Sequence, residues 1–471
     1  MKMNILFPIE SIARELDSKL LLAGKYVDPE KKIYIGQHDY LFHVSKCMYG
    51  GIYLGKNQFS RRSDGTWQDR HTDLKKRSFR VVHLDEEGGV YWGEEKDWES
   101  RLNTRIDVNA LDKNDYIFTW GSFQKKHYQN VTKVNKDNII VTGHPRFDLY
   151  KSKYKNFYKE EIETLNNLYG DYILVPTAFS WYNMKRDRND PINSDLHSKY
   201  EGYDSSDPEA LKSHFGIWSY SGKTFIDFIN LIINISAEFP KINIILRPHP
   251  DENIKIYQRA LINIKNIHIE TDKSVAPWIL ASKLLIQDHC TTAIEAYFGD
   301  IPVINFQPHS RPEYAMFLPS LIGSTNFTID EVIKSINSIY SNSNNVQDVN
   351  PVSENVRAVS LLNNFLYEDA FENVLSGLNK ICSLNSEIVN KFDRKLFNFF
   401  RVKNIIITSL KDIFRPLYRD KYHEVKLFNS KFPGFDKKEI LVKIKKIEQI
   451  TNKKISCKFV NKNLIIVTKA K

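Results

Sequence analysis

With 471 residues and a mass of 55.1 kDa, the chain is long enough for two large domains and a smaller third. Its 42% hydrophobic and 26% charged residues exclude a fibrous or wholly disordered protein, and a mean hydropathy of -0.43 with no apolar run near about 18 residues excludes a membrane-spanning helix. The formal charge of +10 is uneven: residues 387–471 hold roughly 22 Lys/Arg against about 8 Asp/Glu, so the basicity belongs to the tail, where it serves either as a solvated face or as a contact for an anionic surface.

The opening MKMNILFPIESIAREL ends its apolar run at Pro8 and Glu10 without a small-residue cleavage site, which predicts a first β-strand instead of a signal peptide and points to the cytosol. Cys47, Cys290, Cys382 and Cys457 are far apart and form no CxxC pair, which fits a reducing compartment. Residues 11–23 predict a helix with Ser11 as N-cap. Short apolar runs at 4–9, 32–36, 79–84, 115–120 and 138–143, alternating with helical stretches, predict a parallel sheet. After a charged helical stretch at 154–169 the rhythm restarts, with strands at 171–177, 242–250, 266–271, 283–288 and 301–306 and a helix near 225–239. The Asp/Ser/Asn-rich segment 182–216 predicts a long lid or binding loop. A polar stretch near 341–350 precedes helices at about 355–382. In the tail, Asp436 and Glu439 form a capping box before a helix, and KISCKFV and NLIIVTK flank an Asn-Lys-Asn turn. The expected organisation is two Rossmann-like α/β domains facing a central cleft, 1–165 and 166–385, with a small basic α+β appendage at 386–471.

Three segments carry candidate chemistry. In LLIQDHCTTAIEAYFGDIPVINF a strand ends in a polar turn containing His289 and opens a helix whose first turn holds Thr291 and Thr292, a place suited to a phosphate. Glu295, four residues after Thr291, shares that helix face and can reach a ribose hydroxyl; the plainer alternative is an N-cap pair with a solvent-facing glutamate. Arg247-Pro248-His249-Pro250 fixes a guanidinium and an imidazole at the carboxyl edge of the second sheet, for phosphate contact or as an ordinary loop. In HLDEEGGVYW, Asp85, Glu86 and Glu87 crowd three carboxylates at a strand end, where one can act as acid or base. Extended geometry sends Asp85 and Glu87 one way and Glu86 the other, and an acidic surface turn is the alternative. His144 and Arg146, in TGHPRFD, line the cleft wall or shape the hinge. Arg14 and Glu15 reach the cleft from the first helix or form a surface ion-pair set. His38, His43 and Cys47 lack a fourth ligand at suitable spacing, so no metal is expected. No DxD pair, P-loop or GxGxxG occurs in a fitting context.

The ordered blocks PIESIARELDSKLLLA, GGIYLG, HLDEEGGVY, FTWGSFQ, TGHPRFD, ILRPHPDEN, VAPWILAS and CTTAIEAYFGDIPVINFQP resemble bacterial surface carbohydrate biosynthesis proteins from about residue 4 to 310. That group resembles GT-B glycosyltransferases using CMP-activated ketoses, the Kdo transferases and bacterial sialyltransferases. The resemblance implies that Glu86-Glu87-Gly88 supplies the catalytic carboxylate, that His249-Pro250 binds the CMP phosphate, and that Thr291-Thr292 is the phosphate-binding Ser/Thr pair. Asp85 ahead of the acidic pair leaves open which carboxylate acts, and the tail lies outside the match. The implied activity is metal-independent transfer of Kdo or a nonulosonic acid from a CMP-sugar, with no other cofactor, to a surface polysaccharide or lipid-linked acceptor. The basic tail would then meet the anionic inner leaflet, and no nucleic-acid partner is expected. Teichoic-acid polyol-phosphate transferases share a His-Pro loop and a strand–Ser/Thr–helix element, which keeps a CDP-polyol donor in play; a UDP-sugar epimerase or a non-catalytic glycan-binding scaffold are the further alternatives.

Overall fold

The structure, a computed structural model, describes residues 3–56, 59–61, 67–87, 91–103, 105–184, 206–271, 274–309, 312–341, 352–383, 391–414 and 431–470. Gly88 of the acidic motif, most of the predicted lid at 182–216, and nearly all of the polar stretch at 341–350 lie outside them.

Two α/β units are present, each built on a largely parallel sheet, the GT-B type of architecture expected from the sequence. In the second, the strands lie in the order Ile267–Ile269, Asn243–Arg247, Tyr172–Pro176, Leu284–Gln287, Val303–Phe306, Ser324–Asn326, all parallel. In chain order that is 3-2-1-4-5-6, so the direction of winding reverses between Tyr172–Pro176 and Leu284–Gln287, and the crevice for a ligand opens at their carboxyl ends. Near-continuous burial along these Ile/Leu/Val runs reflects helices covering both faces.

In the first unit, Lys31–Gln37, Met3–Ile9, Gly51–Leu54, Phe79–Leu84, Tyr116–Thr119 and Ile139–Val141 form the parallel part of the sheet. Its winding reverses between Met3–Ile9 and Gly51–Leu54, which puts Glu10 and Lys56 at the mouth of the crevice. Gly55 is needed there because a Cβ would sit 2.4 Å from the Pro8 ring.

Two elements differ from the sequence expectation. The helix expected near 225–239 begins much earlier and spans Pro208–Glu238; Asp207 accepts from Glu209 N and Pro208 occupies the first turn, a start signal strong enough to convert the end of the predicted loop into helix. The tail does form a helix, Lys437–Thr451, and a hairpin, Ile455–Asn461 with Leu464–Lys469. It is no separate appendage, because Leu464–Lys469 pairs antiparallel with Lys31–Gln37 and extends the first sheet to eight strands. Ile440, Ile444 and Ile447 bury themselves against the first helix, Ile12–Tyr26. The helices Val356–Leu361 and Ala370–Ser383, expected within the second domain at 166–385, instead pack on first-unit elements.

Four of the tail's lysines are spent inside the fold. Lys443 pairs with Asp17 and Glu439, Lys446 lies 2.7 Å from Glu161, Lys453 donates to the carbonyl of Lys25, and Lys431 lies 3.3 Å from Glu10. Among the described residues no helix is long and apolar enough to cross a membrane.

Candidate active site

The His249 loop follows the second unit's strand Asn243–Arg247. Arg247 is buried and its guanidinium lies 5.0 Å from the centre of the Trp278 ring, a cation–π seat. Pro248 is buried while His249 and Pro250 are exposed. The loop is anchored by Glu252, fully buried, which accepts from His249 N and Phe179 N at 3.1 Å, from Thr177 Oγ1 at 2.9 Å, and from the Tyr257 hydroxyl. Burial raises the Glu252 pKa against these donors. His249 Nδ1 accepts from Asp251 N at 3.2 Å, which makes Nε2 the proton-bearing nitrogen of the neutral ring. Although its side chain is 48% exposed, the surrounding protein partly desolvates the imidazole and lowers its pKa; Asp251 opposes this, and Lys431 and Arg14 push it further down.

At the second crevice strand, Leu284–Gln287, the chain turns through His289 in the left-handed region at φ 49°, with Nδ1 3.0 Å from Ser320 Oγ and Nε2 2.9 Å from Asp288 Oδ1. Gln287 accepts from Cys290 N and donates to Asn305. Thr291 stands at the N-cap of Thr292–Phe298 without a side-chain capping bond, and Thr292 is buried. Glu295 does not face solvent: its carboxylate points across the unit boundary, 3.7 Å from Arg146 Nε. Burial raises its pKa, with Arg146 opposing.

The first unit presents a dense charge mesh. Glu87 accepts from Arg14 at 2.6 Å and from Arg105 at 2.9 Å, with Lys56 3.5 Å away. Burial alone would raise its carboxyl, but Lys56, Arg14 and Arg105 hold it well below the usual range. Lys56 also lies 2.8 Å from Glu10, whose pKa falls to about 2 because Lys56 and Lys431 outweigh its burial. Asp85 accepts from Glu87 N at 3.0 Å and lies 3.7 Å from Arg105, so Asp85 and Glu87 share one guanidinium. Glu86 turns the other way into the protein, 2.7 Å from Lys19 and 3.1 Å from His144 Nε2. Glu15 completes this buried set, 3.2 Å from Lys19 and 3.0 Å from Arg14, and accepts from Glu10 N and Ser11 N at the helix start. Burial lowers the His144 pKa despite Glu86; Nδ1 accepts from Arg146 N at 3.2 Å, so the neutral ring keeps its proton on Nε2, toward Glu86.

The two walls share one crevice. His249 lies within the electrostatic reach of Arg14, Glu87 and Lys431, and Glu295 within that of Arg146 and Arg14. Arg14, Glu15, Asp85, Glu86, Glu87, His144 and Arg146 cluster on the first unit; His249, Pro250, His289, Thr291, Thr292 and Glu295 lie at the carboxyl edge of the second, while Arg247 is turned onto Trp278. The rim cations Arg14, Lys56, Arg105 and Lys431 are matched in number by the carboxylates Glu10, Glu15, Asp85 and Glu87 beside them. The rim can therefore take an anionic oxygen where a guanidinium exchanges part of a carboxylate contact for it, and Glu87, held ionised, suits charge stabilisation or nucleophilic attack.

Lys19, Lys56, Arg105, Glu10, Lys431 and Glu252 were not singled out by sequence reasoning. Glu10 and Lys56 carried a usable signal, because each stands just beyond the carboxyl end of a predicted or short apolar strand. Arg105 and Lys431 carried none, since their partners are distant in sequence.

No protein-family model matches the chain, and no curated protein matches its sequence. Among solved structures, the chain is similar to UDP-GlcNAc 2-epimerase from Neisseria meningitidis bound to UDP-GlcNAc, at 14% identity and a TM-score of 0.47 over 81% of this chain and 100% of that one. It is similar to the UDP-GlcNAc 2-epimerase of Methanocaldococcus jannaschii at 14% identity and a TM-score of 0.46, over 82% of this chain and 99% of that one. It is also similar to the wall teichoic acid polymerase TagF at 11% identity and a TM-score of 0.41, over 82% and 90% of the two chains.

Proposed function

We propose that the chain is an enzyme of bacterial surface-glycan assembly that binds a nucleotide sugar across the crevice, its phosphate held by the His249 loop and the Thr291–Thr292 helix start and its sugar facing the carboxylates of the first unit. The observation that carries this reading is the contact of the two units beside their winding reversals, where Arg146 of the first lies 3.7 Å from Glu295 of the helix that Thr291 opens. The reaction would be transfer of a ketose acid from a CMP-sugar to a glycan or lipid-linked glycan. The support for an acidic sugar is the guanidinium pair around Glu87, because Arg14 or Arg105 could exchange part of its contact with Glu87 for the single carboxylate of the donor. A monophosphate leaving group needs little charge compensation, and Arg14, Lys431 and a hydrogen bond from His249 would supply it without a divalent ion.

One observation favours a second reading, a UDP-sugar epimerase: the buried Glu86–His144 couple at 3.1 Å is an acid–base pair fit for removing and returning a proton at a sugar carbon, with no acceptor required. Incubating the pure protein with CMP-, CDP- and UDP-sugars, with and without EDTA, and following both released nucleotide and isomerised donor separates them. Nucleotide release from CMP-ketoses alone, unaffected by EDTA, supports transfer. Isomerised UDP-sugar supports epimerisation, release from a CDP-polyol alone points to the teichoic-acid type of chemistry, and no turnover of any donor overturns the enzyme reading.

A further inference from the structure

In the described tail, Lys431, Lys443, Lys446 and Lys453 are engaged within the fold while Lys437, Lys438, Lys445, Lys454, Lys458, Lys462 and Lys469 are exposed; the helix Arg394–Phe414 carries the largest exposed apolar side chain of this basic region, Phe399. Asp393 starts the helix by accepting from Leu396 N at 2.9 Å. One face is docked: Phe397 is buried with Leu396 and Phe400 in the cluster beneath the helix His38–Ser45, and Phe400 stacks on His43 at 6.4 Å. The short strand Lys391–Phe392, paired with Met48–Tyr49, fixes the approach. Positions 399, 402 and 406 fall on a different stripe at helical spacing. There Phe399, Val402 and Ile406 are 59%, 50% and 53% exposed. Arg394, Lys395, Arg401 and Lys403 are exposed along the same two turns. A soluble surface has no use for three large apolar side chains in a row amid cations. A phospholipid surface has, because apolar side chains enter the acyl boundary while lysine and arginine meet anionic headgroups.

We infer that Arg394–Phe414 lies on an anionic membrane surface, with Phe399, Val402 and Ile406 inserted at the headgroup boundary and Lys395, Arg401 and Lys403 on the lipid phosphates. The helix packs on the first unit, so that unit is the one brought to the lipid, and the crevice rim follows it. The inference does not depend on which donor is used.

The test is flotation of the full chain with vesicles of neutral phospholipid alone and with about one-third anionic phospholipid, at low and high salt. Binding should be at least about tenfold tighter to the anionic vesicles and should weaken with salt. The variant Phe399→Asp/Ile406→Asp should lose at least about tenfold on the same vesicles, and Lys395→Gln/Arg401→Gln/Lys403→Gln should lose the preference for anionic lipid. All these positions are exposed, and an unchanged circular dichroism melt shows that the fold is kept; Val402→Asp serves as a second probe if the double variant melts early. Wild-type protein that stays with the unbound fraction, variants that float like the wild type, or a wild type that dimerises in solution through this stripe and is made monomeric by Phe399→Asp would each overturn it.

Discussion

Arg146 on the first unit and Glu295 on the second face each other at 3.7 Å, both buried, and this contact ties the two halves together at the floor of the crevice. Arg146 is further wedged 4.7 Å from the Phe147 ring centre, and Phe147 itself packs on Phe298, three residues beyond Glu295. The pair therefore sits inside an apolar seam where an unmatched charge is costly.

Replacing Arg146 by Met keeps the apolar stem and removes the charge. Glu295, already raised by burial, then rises further, so between its unfolded pKa and the new folded one the native state binds a proton that the unfolded state does not. Stability of Arg146→Met should therefore fall as pH rises through that window, by about 2–4 kcal/mol at neutral pH against little loss near pH 5. Melting curves at about pH 5 and pH 8 check this; the same deficit at both values would mean that Glu295 stays charged throughout.

Glu86 and Glu87 are neighbours with opposite surroundings, and their glutamine variants should part accordingly. Glu86→Gln leaves Lys19 to Glu15 and the Pro8 carbonyl within a buried pocket, and should cost about 1–3 kcal/mol of stability. Glu87→Gln, at the rim, leaves Arg14, Lys56 and Arg105 without their shared partner. That variant should melt earlier than the wild type at neutral pH, because the depressed Glu87 pKa is a stability contribution that the amide forfeits, yet it should bind nucleotide sugar several-fold more tightly and lose roughly a hundredfold in turnover. Titration calorimetry with a nucleotide sugar, together with the turnover assay, distinguishes the two.

Most of the parallel strands were legible because they are compact apolar runs, and the first helix because Ser11 and a 3.6-residue rhythm frame it; the polar edge strand Ser324–Asn326 was not. The strand Gly51–Leu54, central in the first sheet, was not, since four residues between glycines give too short a pattern. The hairpin around Asn461 and Leu464 was legible as a hairpin but not as the edge of a sheet that begins at Met3, because pairing register across more than about 400 residues leaves no local trace. The site divides in the same way. His249, Thr291 and the acidic turn stand at strand ends and so announce themselves, whereas Glu252 gathers donors from Thr177, Phe179 and Tyr257 that only the folded chain brings together.

Docking of the tail can be broken at one point. A Cβ on Gly24 would lie 2.2 Å from Ile447 Cγ2, so the glycine exists to let the helix Lys437–Thr451 approach Ile12–Tyr26 closely. Gly24→Ala should cost about 1–3 kcal/mol through overpacking, less the small gain in helix propensity, and Ile447→Ala added to it should recover part of the loss. Strictly additive destabilisation in a double-mutant cycle would show that the two helices are not in contact. Deletion of 387–471 is expected to unfold the first unit, since it removes Leu464, Ile465 and Val467 from the sheet core.

His249 gives the crevice a pH response with a fixed sign. The free imidazole, half exposed, is lowered from its usual value by partial desolvation, then by Lys431 and Arg14, with Asp251 and Glu87 opposing, so it is neutral at physiological pH. A bound phosphodiester, whose own charge does not change in this range, favours the protonated ring and raises the pKa of the complex. Affinity for a nucleotide sugar should therefore be flat above the pKa of the complex and tighten as pH falls through it toward that of the free protein. His249→Gln should abolish the slope. Lys431→Ala removes one of the cations that depress the ring, so the free His249 pKa rises, the slope levels off at a higher pH, and affinity at neutral pH drops by on the order of tenfold. Calorimetric titrations from about pH 5.5 to pH 8 read all three effects; a slope that persists in His249→Gln would place the titrating group elsewhere in the crevice, and an unmoved profile in Lys431→Ala would remove the tail from the phosphate's surroundings.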